Sequence, residues 1–510
     1  MRVNHDYVRR RCVVIVGAGP TGITAATLLA QHDVDCLVLD RWSAVYPQPR
    51  AVHLDDEIYR ILARIGIADE FASISRPTLG LRLMGVDFDV LAQFNRDQSQ
   101  RVNGFPQANM FDQPELEALL RANLKRYPTA QLRGDAEVTA ITDGAKGIRV
   151  TFTDRTDGHL HHVDADYVLG CDGANSTVRV HIGSTMRDLN FQQRWLVVDV
   201  ASDADLRQWD GVHQVCDPVR AGTYMRIGES RYRWEFRLLA GETADDFGTL
   251  DALRPLIAPW TETVTDSRLT LLRVAEYTFR AQIADRWRRG NVFILGDAAH
   301  LTPPFIGQGM GAGFRDAANL AWKLAAVHHG TMAADALDSY EQERAPHTRQ
   351  MIRLALGVGW AMTGGGRAGD AARRLVLPHM RFIPGLRRRI VDSTTPALHS
   401  SALVSNSPLP RRLGGRLCPN PLLRDGRRLD DVLGTGFALI TMVRPTAADE
   451  AALRRRGVVT LIPQSGDALA TWLRRGRADA AVVRPDRTVA RAGGDVASLC
   501  AWATAVLRER

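Results

Sequence analysis

No stretch of this sequence approaches the ~20 consecutive apolar residues of a bilayer-crossing helix, so a helical membrane protein is not expected. Arg9, Arg10 and Arg11 are basic, but the apolar run behind them is only Cys12 to Val16, too short for an export signal. Cysteine is scarce: Cys12, Cys36, Cys171, Cys216, Cys418 and Cys500 are scattered and form no CxxC pair. Neither a disulfide framework nor a dithiol redox motif follows from that spacing. These absences predict a soluble protein whose buried thiols sit in a reducing cytoplasm. A GxSxG nucleophile motif is also missing, which disfavours a hydrolase of that kind. His159, His161 and His162 follow Asp157 and Gly158 in a hairpin-like stretch, and no carboxylate pattern completes a ligand set, so no metal is expected.

What is present is the composition of an ordinary folded chain. At 510 residues, 45% hydrophobic and 24% charged, it is long enough for more than one core. The formal net charge is +8, with arginine densest between Arg367 and Arg428, as at Arg387, Arg388, Arg389, Arg411 and Arg412. That stretch has few interleaved aromatics and no nucleic-acid module, so it reads as a solvated surface, with neither nucleic acid nor membrane expected as a partner.

Periodicity supplies the organisation. Cys12 to Val16 is a short apolar run ending at glycine; a helical pattern through Ile23, Ala26, Leu29 and Ala30 follows, then a second apolar run, Cys36 to Leu39. This predicts a strand–helix–strand unit. Tyr167 to Leu169 and Val292 to Leu295 read as further strands buried on both faces. In between, Tyr232, Trp234, Phe236 and Leu238 alternate with Arg231, Arg233, Glu235 and Arg237, the period of a sheet with one wet face. With Trp195 to Val200 and Tyr224 to Ile227 this predicts an inserted, largely antiparallel sheet. A helix runs from Met310 through Phe314, Ala317, Ala321 and Leu324 to a stop at His328, His329 and Gly330, and helical sequence continues to about Ile390. Ser405 to Pro410 marks a boundary. Beyond it, Phe437 to Val443, Val458 to Ile462 and Ala480 to Val483 are strand-like, with a helix over Ala468 to Arg475.

Three segments carry chemistry. Gly17, Ala18, Gly19, Pro20, Thr21 and Gly22 form a GxGxxG between strand and helix, where glycine allows a tight turn and close approach of a pyrophosphate to the helix N-terminus. Asp40 ends the next strand at the distance where a carboxylate meets the adenosine ribose, with Arg41 beside it. This motif leaves NAD and FAD both open. The second segment is Gly170, Cys171, Asp172, Gly173, Ala174, Asn175 and Ser176. The third is Gly296, Asp297, Ala298, Ala299, His300, followed by Pro303, Pro304, Phe305, Ile306, Gly307, Gln308, Gly309, Met310 and Gly311.

Together these segments resemble the class A flavoprotein monooxygenases, the group of para-hydroxybenzoate hydroxylase. The resemblance runs strongly from Cys12 to Arg353. It is most pronounced toward 3-(3-hydroxyphenyl)propionate hydroxylases, through Trp195 to Val200, Cys216, Asp217, Pro218, Arg233, Trp234, Glu235, Phe236 and the tail's Val483, Arg484, Pro485, Asp486, Arg487. It implies an α/β fold: an FAD-binding Rossmann-like domain of the GR2 type, an inserted mainly antiparallel β-sheet substrate domain and a thioredoxin-like C-terminal domain. The expected spans are 1–185 and 281–400 for the FAD-binding domain with its helical region, 186–280 for the sheet and 401–510 for the last domain. By position, Asp172, Gly173, Gly296 and Asp297 become flavin-site residues. Pro303, Pro304, Gly307, Gln308, Gly309, Met310 and Gly311 become the turn and helix start beside the flavin ring, and Arg50 and Gln113 further FAD contacts. The family usually has glutamate where this chain has Asp40.

The resemblance implies FAD as cofactor, NADH or NADPH as co-substrate without a fold of its own, and a small aromatic substrate hydroxylated with dioxygen through a flavin C4a-hydroperoxide. A homodimer is compatible with it. Close relatives of such chains also tailor polyketides or inactivate antibiotics, and a non-catalytic flavin-binding redox partner is the reading from another class. Several roles stay open on the residues alone. Tyr232, Trp234 and Phe236 are either core or the roof of the pocket, and Met310 is core or flavin contact. Arg220 and Arg226 are either a fork for a substrate carboxylate or solvated charges. His53 either helps deprotonate a phenol or is a satisfied polar histidine.

Overall fold

The computed structural model describes residues 10–47, 50–96, 101–144, 147–377, 395–406 and 412–509. The run Arg387 to Arg389, the boundary's Ser407 to Pro410, and Arg411 lie outside the described residues, as do Arg9 and Pro49.

The strand Arg11–Val16 pairs in parallel with Cys36–Leu39 on one side and with the end of Leu160–Gly170 on the other. Ala130–Arg133 and Val292–Ile294 continue the parallel sheet outward. Val13, Val14 and Ile15 are wholly buried, which is why the run is continuously apolar rather than alternating. All four strands expected here from sequence are present. Leu160–Gly170 changes partners at Ala165: its first half pairs antiparallel with Gly147–Asp154, which in turn pairs with Ala136–Gly144. His161 and His162 lie in that antiparallel ribbon, as the hairpin reading expected. The six thiols are free and five are buried, and burial pushes Cys12, Cys36, Cys216 and Cys418 up to about 12, far from thiolate reactivity.

The second sheet runs in the order His300–Leu301, Leu269–Ala284, Met186–Ser202, Arg231–Arg237, Gly222–Arg226, Val212–Val215, Gly80–Met84, Val90–Asn95. All neighbours are antiparallel except Val212–Val215 with Gly80–Met84. One expectation changes here and one open alternative is decided. Gly80–Met84 and Val90–Asn95 join this sheet, although the sequence reading counted residues 1–185 with the cofactor unit. Leu91 and Phe94 are buried while Val90 and Gln93 are exposed, which shows only that the ribbon has a wet side; which sheet it joins is decided by the long-range pairing of Leu81 to Met84 with Val212 to Val215.

The alternative decided is that of the aromatic face, core or pocket roof. Tyr224, Tyr232, Trp234 and Phe236 pack under the helix Leu250–Thr261, which buries Leu253, Ile257 and Trp260 on one side. Trp260 stacks on Tyr224 at 5.7 Å and donates its indole N–H to His213 Nδ1 at 3.1 Å. These aromatics are the sheet's own core, and the alternating polar face turns toward the first sheet instead.

A third, four-stranded sheet has the order Val459–Leu461, Ala438–Thr441, Ala480–Val483, Val489–Gly493, with only the first pair parallel. Helices Ala447–Arg455, Ala468–Arg475 and Val496–Val506 accompany it. Two buried charge clusters tie this unit to the rest. Arg60 donates to both oxygens of Asp430 at 2.7 Å, and Glu343 accepts from Arg484 at 2.8 Å and Lys323 at 2.9 Å. The tail motif at Arg484 to Arg487 is therefore a clasp. No helix among the described residues is long and apolar enough to cross a membrane.

Candidate cofactor and substrate site

The site is built where three glycine-rich turns meet. Gly17 holds φ +103°, and a Cβ there would lie 2.3 Å from the Cys171 carbonyl oxygen; at Gly22 it would lie 2.0 Å from the Gly17 oxygen. Both positions must be glycine for strand and helix to close. Gly19 differs: a Cβ would meet no protein atom within 4 Å, so its glycine leaves room above the helix Pro20–Ala30 rather than relieving a contact inside the protein. That helix starts with no side-chain cap, so its first N–H groups are available to an anion. Pro20 pre-sets the first turn. Asp40 accepts from the backbone of Ala18 at 2.6 Å and Trp42 at 2.8 Å, which holds its carboxylate at the edge of the turn. Arg41 is exposed beside it.

Cys171 meets the first turn at Gly17 and Gly22, and Thr21 meets the third segment. Its hydroxyl would lie 2.8 Å from a Cβ on Gly296 and 2.1 Å from one on Gly313, so the third segment can approach only because both are glycine. Asp297 is open to solvent yet enclosed by protein, as at the floor of a cleft, and this enclosure raises its carboxyl above the usual carboxylate range while His300 and Arg50 pull it down. Asp172 is turned inward instead, accepting from Ser176 Oγ at 2.5 Å and Val178 N–H at 3.1 Å; Gly173 beside it has φ +81° and open space at its Cβ position.

Pro303 is buried and Pro304 begins the turn that ends at Gly307, φ +62°. Behind it the 20-residue helix Gly309–His328 starts with no side-chain cap, leaving the N–H groups of Gly309, Met310 and Gly311 to the helix's positive end. Gln308 is buried, donating to Asp55 at 2.9 Å and accepting from Arg315 at 2.8 Å. His53 lies against Gly307, close enough that a Cβ there would be 2.8 Å from its Nδ1. Burial and Arg96 push His53 down to about 4, so it is neutral at physiological pH and a weak base. Gln113 is buried and accepts from the backbone N–H groups of Arg50 at 3.1 Å and Ala51 at 2.6 Å. It therefore positions the Arg50 turn from behind.

Sequence reasoning missed what holds the third turn. Asp316, fully buried, accepts from Gly296 N–H at 3.0 Å, His300 Nε2 at 2.8 Å and Arg344 at 2.8 Å. Burial opposes its charge, but Arg344 and His300 prevail and lower its pKa. The only available signal was its position two turns into a small-residue helix.

Neither arginine expected as a substrate fork is free. Arg220 pairs with Glu242, at 2.9 Å through Nη1, and Arg226 donates to the Gly228 and Glu229 carbonyls. Each balances a loop of the second sheet, a role that a residue list could not distinguish from a solvated charge. Asp154, Asp157 and His161 do bring ligand atoms within 4.8 Å of one another, a proximity the sequence reading did not foresee. Asp154, however, is already taken up by Arg133 and by Thr156.

The polar face of the second sheet closes over these turns. Arg233, buried in a two-point pair with Asp199 at 2.7 and 2.8 Å, donates to the Arg50 carbonyl at 3.2 Å. Farther along, Trp195 and Phe191 meet the ring of Phe305 edge-on, at 6.3 and 5.6 Å. The fold and the three turns define a dinucleotide-type cofactor site under a polar roof.

The comparisons agree. The family model described as FAD binding domain matches residues 10–355, and the chain belongs to that family of FAD-dependent monooxygenases. The chain is 33% identical to a 3-(3-hydroxy-phenyl)propionate/3-hydroxycinnamic acid hydroxylase of Burkholderia vietnamiensis, over 95% of this chain and 94% of that one. A probable NADH-specific resorcinol 4-hydroxylase of Rhodococcus jostii is 36% identical over 69% of this chain and 65% of its own. Among solved structures, aklavinone-11 hydroxylase with FAD and aklavinone superposes with TM-score 0.80 at 24% identity, covering 99% of this chain and 100% of that one.

Proposed function

We propose that this chain hydroxylates a small phenolic ring of the 3-(3-hydroxyphenyl)propionate kind, consuming NADH or NADPH and dioxygen. The observation that carries this reading is the extent of the likeness to the Burkholderia hydroxylase, which spans the substrate-covering sheet as well as the cofactor turns. The resorcinol hydroxylase, whose name also specifies a phenol, supports the same substrate class.

FAD would be held by Gly17, Gly19, Pro20, Thr21 and Gly22 at its pyrophosphate, by Asp40 and Arg41 at the adenosine end, and by Arg50, Asp297 and the helix start from Gly307 to Gly311 toward the ring. The room over Gly19, the uncapped helix starts and the open Asp297 fit such a group. Reduced FAD supplies the electrons that activate oxygen; the protein orients the phenol and excludes water. The four-stranded C-terminal sheet, with its single parallel pair, supports reading that unit as thioredoxin-like, and without a CxxC its role is structural.

Two measurements test this. NADH and NADPH oxidation should rise when 3-(3-hydroxyphenyl)propionate or resorcinol is added, with hydroxylated product and little peroxide. Stimulation only by large polycyclic phenols would transfer the assignment to the tailoring class, and bound FAD with no stimulation at all to a redox partner. Asp297→Ala should be recovered folded but with most of its flavin lost; full occupancy would remove Asp297 from the set.

A further inference from the structure

Glu235 lies at the centre of the roof. Its strand, Arg231–Arg237, is interior to the second sheet, between Met186–Ser202 and Gly222–Arg226. Successive side chains of a strand alternate, so Glu235 shares the cofactor-side face with Arg233 and Arg237. Two anchors bracket it on that face: Arg233 on the Arg50 carbonyl, and Trp195, directly across from Arg237, against Phe305. Those anchors lie on the Arg50 turn that Gln113 braces and on the turn that leads into Gly307. Glu235 therefore projects between the two loops that frame the flavin-ring end of the site.

Its surroundings are unusual for a carboxylate. Among the described residues none donates a hydrogen bond to it and none forms an ion pair with it, whereas nearby Asp199 is saturated by Arg233. Its oxygens remain open to solvent although the residue is half-buried. The charged and polar groups facing it are Arg233 on its own strand, Asp199 on the next, Thr223 on the other side, and Arg273 and Tyr277 one strand farther out. Arg237 is drawn away to the Val219 carbonyl, and Arg231 to Asp112. Toward the cofactor unit stands the Arg50 turn, held by Arg233. Enclosure raises the Glu235 pKa above the usual carboxylate range, Asp199 adds to the rise and Arg233 opposes it.

We propose that Glu235 is the group that receives the substrate's phenolic hydroxyl and takes its proton. This deepens the phenol-hydroxylase reading and rests on it. The O–H bond breaks, its electron pair stays on the ring oxygen, and the proton forms a new O–H bond on the Glu235 carboxylate, from which it passes to water. A phenolate is the more electron-rich ring, so the transfer prepares the carbon to be hydroxylated. His53, neutral and weakly basic, is poorly suited to that task.

The test uses flavin-loaded wild type, Glu235→Gln and Glu235→Asp with 3-(3-hydroxyphenyl)propionate and resorcinol. Glu235→Gln should turn them over with KM changed less than about threefold, and kcat should fall about 10²-fold. Wild-type kcat should decline as pH falls through the raised Glu235 pKa, because the carboxylate must be ionised to accept, and the Gln variant should lose that limb. Glu235→Asp, which keeps the acceptor, should recover part of the rate, and it serves as the test should the Gln variant not retain flavin. A Gln variant with wild-type kcat and pH profile would overturn the role of Glu235 alone. Wild type that retains flavin but responds to no phenol would overturn the phenol reading itself, and this inference with it.

Discussion

Asp316→Ala is expected to lose roughly 3–5 kcal/mol of stability and most of its flavin, the range seen when one partner is removed from a buried ion pair. Arg344 would remain charged and buried, with His347 Nδ1, the Ala312 carbonyl and Thr348 Oγ1 as its remaining partners, while His300 and the Gly296 N–H would lose their acceptor. Because Gly296 at φ +60° presents the next residue, Asp297, the damage reaches the cofactor turn without touching the cofactor. Asp316→Asn keeps an acceptor oxygen but not the charge, so it should fall between the two. Thermal unfolding and flavin release, followed together, should shift by several degrees in the same order. An Ala variant with wild-type midpoint and occupancy would show that the cluster is not what holds the turn. The pH sign is fixed by the depressed carboxyl: its contribution is complete above the ordinary value of 3.8 and is lost as pH falls below it, so the Ala variant should show a flatter acid limb.

Glu343→Ala is expected to free the C-terminal unit. Glu343 on the helix Ser339–Thr363 accepts from Arg484, Lys323, Asn319 and Ser401, all at 2.7 to 2.9 Å, and Arg484, Lys323 and Glu343 are fully buried. The pair is unequal: burial outweighs the partner at Lys323 and lowers it to about 8, whereas two cations bring Glu343 down to about 2. The carboxylate is thus the group around which the cluster is organised. Its removal leaves Lys323 without a counter-charge in direct contact, again at a cost of about 3–5 kcal/mol. Hydrogen exchange should quicken across Ala438–Thr441 and Ala480–Val483 while the strand Arg11–Val16 stays protected. Unchanged exchange in both regions would sink the idea. In wild type, Glu343's contribution is complete above the ordinary value of 4.5 and is lost as pH falls from there to about 2, a window in which the Ala variant should change less.

The candidate site was legible in the sequence where its requirements are local. A glycine with positive φ, or one whose Cβ would strike a carbonyl a few residues away, leaves its mark as glycine at a set spacing, and Gly17, Gly22, Gly296 and Gly307 are such positions. Gln113 and Asp172 were found by position, but the structure shows them bracing loops from inside, a distinction that depends on which way a side chain turns.

By itself, then, the sequence determined the parallel strands, the three turns, the FAD-dependent class, and the division of the second sheet into an apolar and a polar face. Only the tertiary structure decided which face closes over the glycine-rich turns. Period-two alternation reports that two faces differ in polarity and is silent about what lies opposite each. Helix Leu250–Thr261 supplies the apolar surface that Trp234 needs, so the charged face, with Glu235 at its centre, is left for the site. The buried carboxylates Asp316 and Glu343 stayed hidden for the same reason: on a helix they look solvated until Arg344, Lys323 and Arg484 arrive from elsewhere in the chain to pair with them.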